Sequence, residues 1–137
     1  MLRFSQSAIS QYYAGDGKNA ETVYDIAQKI QEKKIEFTPG IYVFTKIPIM
    51  DTWGSHGYTT LAGNIYQGTF SHLENGCTYA LNNRSLVVAL LAGLTHIGVY
   101  WIHPGRIIES SYILDPVQHG ERVLIKETGQ YISIPKE

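Results

Sequence analysis

Few residues in this chain are suited to nucleophilic chemistry. Cys77 is the sole cysteine among 137 residues, and a thiol becomes a nucleophile only beside a base that a third group orients. His96 or His103 could supply the base and Glu109 the orienting carboxylate. A single cysteine in a strand-rich chain more often packs as a small hydrophobe, so Cys77 is expected to be structural and no catalytic residue is expected. The five histidines, His56, His72, His96, His103 and His119, include no HxH or HExxH pair. No single element therefore gathers two metal ligands, and neither metal nor cofactor is expected. The glycines sit singly between strand candidates, without a phosphate-cradling loop.

A second group suits recognition better than reaction. Trp53, His56 and Tyr58 fall within the eight residues DTWGSHGY, where aromatic faces beside short polar groups form a surface on which sugars or proteins dock. The alternative is that Trp53 closes the end of a β core, since tryptophan is usually largely buried. Trp101 and His103 lead into the Pro104-Gly105 turn and carry the same two readings, the core reading being the stronger for Trp101.

The elements that must position these residues follow from composition and period. Apolar residues are 44% and charged residues 17% of the chain, which excludes disorder. A formal net charge of -1, with Lys and Arg scattered, gives none of the basic footprint of a nucleic-acid binder. No run reaches the roughly 20 apolar residues that span a bilayer, and the start MLRFSQSAISQYY is too polar for a signal peptide. Ten Tyr, thirteen Gly and two Met are the composition of a β-rich protein.

Asn19 stands where a helix cap would, and Ala20 to Lys34 holds neither Gly nor Pro, so a helix is expected there. Ala20, Val23, Ala27 and Ile30 recur at spacings of three, four and three. That is either a two-heptad seam between copies of the chain or a stripe packed on its own sheet. From Ile35 the period becomes two. Strands are expected at 41–47, 58–62, 65–70, 78–81 and 85–91; the last opens the stretch 85–94, whose apolar run LVVALLAGL suits a buried strand or a buried helix by period alone and which Val87 and Val88 tilt toward strand. A hairpin is expected around Pro104-Gly105 and a closing one from 121–126 and 130–134. The expected fold is mainly β, an antiparallel sandwich or jelly-roll-like domain with one short N-terminal helix. Residues 1–34 form a stalk or attachment segment and 35–137 the β domain.

Three short stretches resemble known families. Asp16-Gly17-Lys18-Asn19-Ala20-Glu21-Thr22-Val23 resembles the repeat that precedes the distal domains of phage tail fibres, and Thr38-Pro39-Gly40-Ile41-Tyr42-Val43 resembles the strand that opens many fibre tips. This resemblance implies a homotrimeric virion component made in the host cytoplasm. It would contact other virion proteins and a host-surface glycan through the β domain, with neither nucleic acid nor membrane insertion. His96-Ile97-Gly98-Val99-Tyr100 with Gly105 to Ser110 resembles the histidine hairpin of NlpC/P60 cysteine peptidases, and Gly76-Cys77-Thr78-Tyr79-Ala80 the cysteine segment of CHAP amidases. That alternative implies a peptidoglycan hydrolase using Cys77, His96 and Glu109. Those families place the cysteine on a helix well ahead of the histidine strand, whereas here 18 residues separate the two. A third alternative is an intracellular, cytoplasmic β-rich accessory protein.

Overall fold

The computed structural model describes residues 2–13, 21–37, 41–45, 73–74, 76–102 and 114–135. Within them seven short strands form two sheets. One has the order β1 (Leu2–Phe4), β4 (Thr78–Ala80), β3 (Ile41–Thr45), β5 (Val99–Trp101); the other has the order β2 (Ala8–Ile9), β6 (Arg122–Ile125), β7 (Tyr131–Ser133). Two helices, α1 (Val23–Gln31) and α2 (Asn83–Leu91), pack against each other.

This corrects the expected antiparallel jelly roll. The pairs β1–β4, β2–β6 and β3–β5 are parallel, and only β3–β4 and β6–β7 are antiparallel. Parallel partners need a long crossover rather than a hairpin, and the connection from β3 to its parallel partner β5 runs through β4 and α2. The run that Val87 and Val88 tilted toward strand is that helix. Leu86, Val87, Val88 and Ala89 are consecutive and all buried, a pattern that suits a helix enclosed on most sides. Enclosure outweighs the small β preference of valine. The strand leading into Pro104-Gly105 runs parallel to β3, with Ile41 opposite Val99; the hairpin's return arm lies outside the described residues. The closing hairpin is present as β6–β7, Val123 opposite Ile132.

The N-terminal residues are woven through both sheets: β1 joins the first, β2 the second, and α1 the helix pair. α1 begins at Thr22, whose side chain accepts from the Asp25 amide (3.1 Å) while Asp25 accepts from the Thr22 amide (3.0 Å). This reciprocal cap starts the helix three residues after the expected Asn19, which lies outside the described residues. Val23 and Ala27 are buried in this chain's own core, with Ile30 packed on it. At the first sheet's edge Val99, Tyr100 and Trp101 are exposed and Tyr42 meets Tyr100 at 5.6 Å between ring centroids. Trp101 is therefore not a core residue. Gly120 has a φ of 75° and passes so close to β1 that a Cβ would lie 2.4 Å from the Phe4 carbonyl oxygen; only glycine meets both demands. Among the described residues no helix is long and apolar enough to cross a membrane.

Candidate functional site

Between the two sheets the chain runs through Ser5, Gln6 and Ser7, and a buried polar junction fixes that passage. Ser5 is fully buried and Asn83 nearly so. The Ser5 amide donates to Asn83 Oδ1 (2.8 Å), Ser5 Oγ donates to the Ala80 carbonyl (2.6 Å), and Asn83 Nδ2 donates to Ser5 Oγ (3.0 Å) and Gln6 Oε1 (3.3 Å). The first residue of α2 is thereby locked to the link between β1 and β2. Two carboxylates hold the rest of the segment: Asp115 accepts from Ser7, and Glu127 accepts from Ser10 Oγ (2.9 Å) and the Gln11 amide (2.7 Å). The Gln11 amide is the main reason that the Glu127 carboxyl titrates below its ordinary range.

This scaffold encloses a cleft of about 300 Å3. One wall is the 6–13 segment, contributing Gln6, Ser10 and Tyr13. The opposite wall is the start of α2, with Asn82, Arg84 and Ser85, and Lys126 closes the end beside β6. Asn82 precedes the helix, yet its side chain does not cap it; Asn82 Oδ1 accepts from the Tyr42 amide instead (2.8 Å). No acidic residue lies in the first turn. Among the described residues no capping side chain closes the α2 start, so the partial positive charge of that helix end stays available beside the cleft. Tyr13 stands under the Arg84 guanidinium, 5.6 Å from its ring centroid, and its hydroxyl donates to Ser85 Oγ (3.3 Å). Burial raises the pKa of that phenol above its usual value, keeping it a neutral donor. Arg84 Nη1 donates to the carbonyls of Tyr12 and Tyr13. Among the described residues the Lys126 ammonium makes neither a hydrogen bond nor an ion pair, although it contributes slightly to the lowering of the neighbouring Glu127. Two cations, hydroxyl and amide donors and an open helix start converge on one small space, the donor set that oxyanions take.

The residues singled out from the sequence lie elsewhere. Trp53, His56 and Tyr58, together with Ala20, Glu109 and His103, lie outside the described residues. Cys77 and His96 are not brought together. Thr78 pairs with Thr45 and Val99 with Ile41, so the two residues flank opposite ends of β3, roughly 13 Å apart by strand rise alone. His96 is bonded to Thr95 Oγ1 (3.0 Å). Cys77 meets Glu74 (Sγ to Oε2, 3.8 Å), and the other oxygen of Glu74 pairs with His119. Among the described residues no three His, Cys, Asp or Glu side chains are grouped to hold a metal.

Arg84 and Lys126 were missed because a strand over 85–91 hides the helix start that gives Arg84 its setting. The available signal was the polar run Asn82-Asn83-Arg84-Ser85 ahead of an apolar stretch, which is a helix-start pattern. Comparison with known protein families, curated proteins and solved structures returns no match.

Proposed function

We propose that this chain is a recognition module that binds a small ligand through an oxyanion, phosphate, sulfate or carboxylate, in the cleft at the start of α2. Its support is the uncapped, acid-free helix start, which carries Arg84 and shares a cleft of about 300 Å3 with Lys126. An α1 seam between copies of the chain is not part of it, because Val23 and Ala27 are buried in this chain's own core, and neither is a Cys77–His96 pair, whose members flank opposite ends of β3.

The test is titration of the protein with inorganic pyrophosphate at low ionic strength, followed by amide NMR. Saturable shifts of the Asn83, Arg84 and Ser85 amides are expected, with an affinity that falls as salt rises. Lys126→Ala should weaken binding about tenfold, the scale of one lost charge-assisted contact, while leaving the spectrum otherwise intact. Shifts scattered over surface lysines, or none at millimolar pyrophosphate, would refute the assignment.

A further inference from the structure

Arg84 is held from one side only. Its Nη1 serves the Tyr12 and Tyr13 carbonyls, and among the described residues Nη2 and Nε have no partner. A guanidinium is a rigid planar fork whose edges can be used independently. The edge left over suits the paired oxygens of an oxyanion, so Arg84 can take a ligand without releasing the backbone it already holds.

That backbone is also what the start of α1 rests on. The Val23 amide, first in α1, donates to the Gln11 carbonyl (2.8 Å); the Tyr13 amide donates to the Glu21 carbonyl (3.0 Å); and Tyr12 forms a bridge with Thr22. Residues 11–13 are therefore a strap with Arg84 on one side and the N-terminal end of α1 on the other. The Tyr13 ring under the guanidinium, tied to Ser85, adds a second link between strap and α2.

We infer that Arg84 couples the two ends of this strap: an oxyanion on its free edge fixes the guanidinium, which tightens residues 11–13 and the start of α1. This rests on the oxyanion site proposed above and adds regulation to it, because the state of α1 then reports the state of the cleft. Lys126 lies outside the strap and supplies affinity without coupling.

Native-state hydrogen exchange with and without saturating inorganic pyrophosphate tests the coupling. Binding slows every globally exchanging amide by one common factor, for which Val123 and Ile132 in the β6–β7 ladder serve as the reference. The Tyr13 and Val23 amides should slow by about fivefold beyond that factor, the scale of one strengthened hydrogen bond. Arg84→Lys, which keeps the charge and loses the fork, should still bind while losing the extra slowing. Binding without extra slowing in the wild type would overturn the coupling and leave the site standing. Full extra slowing in Arg84→Lys would do the same. If pyrophosphate did not bind at all, site and coupling would fall together. The decisive comparison is within the wild type, so an Arg84→Lys variant that did not fold would not spare the inference.

Discussion

At the start of α1, Thr22 and Asp25 satisfy each other's backbone amides and an acidic side chain faces the positive end of the helix. At the start of α2, nine residues long like α1, no side chain closes the cap and no acid is present; the one residue placed to cap, Asn82, is turned to the Tyr42 amide. The first arrangement completes a helix for its own sake, while the second leaves donors unfilled and surrounds them with Arg84, Lys126 and hydroxyls. Local stability accounts for α1. It does not account for α2, where the side chain of a residue well suited to capping is spent on β3 instead, and that difference is what the proposed oxyanion site draws on.

The largest expected effect comes from the junction that holds the open end in place. Asn83→Ala removes the acceptor of the buried Ser5 amide and the donor to Ser5 Oγ. Stranding such groups costs about 2–3 kcal/mol, read as a fall in the urea midpoint with an unchanged slope. A loss below about 0.5 kcal/mol, the range of ordinary surface substitutions, would show that the α2 start does not depend on this lock.

At the closed end, Thr22→Ala should destabilise by about 1 kcal/mol, the usual worth of such a cap, and leave pyrophosphate affinity unchanged. Loss of affinity without loss of stability would mean that the two helix starts had been assigned the wrong way round.

The contrast between the helices also explains what could be read from the sequence. A helix within 20–34 was legible because Ala20 to Lys34 holds neither Gly nor Pro and carries apolar spacings of three and four, although the true cap, Thr22, was not singled out. The closing hairpin was legible because Thr128-Gly129 separates two period-two runs. α2 was not, because Leu86 to Ala89 is apolar at every position and so carries no period; burial by neighbours, not propensity, decides such a run. The antiparallel expectation had a further source: β1 and β2, which make two of the three parallel pairs, lie in the segment read as a stalk. The site went with α2: Arg84 on a strand edge has no helix start beside it, and Lys126 gains meaning only through the pairing of β2 with β6, whose partners are 116 positions apart at Ala8 and Leu124.

A smaller change should make the open end resemble the closed one. Asn82→Asp preserves the acceptor for the Tyr42 amide and adds a negative charge at the α2 start. Helix electrostatics predict a gain of about 0.3–1 kcal/mol in stability, with weaker pyrophosphate binding because the added charge occupies the field that the ligand uses. Stability and affinity should therefore move in opposite directions in a single variant. A variant that gained both, or lost both, would show that the missing cap has nothing to do with a ligand.

The smallest effect separates the two carboxylates that each end employs. Asp25 accepts from the Thr22 amide and Glu127 from the Gln11 amide, and in both cases that bond is the main cause of a carboxyl pKa below its ordinary value. A depressed folded-state value means that each carboxylate's contribution is fully present above the unfolded value and is lost as pH falls through the folded one. Both groups are exposed at the surface, so the stability change is slight and its direction is the informative part. Loss at Asp25 loosens only α1, whereas loss at Glu127 frees Ser10 and Gln11 and slackens the cleft wall. With sulfate as the probe, whose charge stays constant over the range, affinity should fall as pH drops below the ordinary glutamate value. Protonation of Glu127 would itself remove a nearby negative charge and favour an anion, so a fall in affinity reports the wall and not the field. Glu127→Gln, which keeps one acceptor and cannot ionise, should bind with a nearly flat profile over the same interval. Affinity that instead rose in acid for the wild type would show that Glu127 acts on the ligand only as a charge, and that the 10–13 wall is held without it.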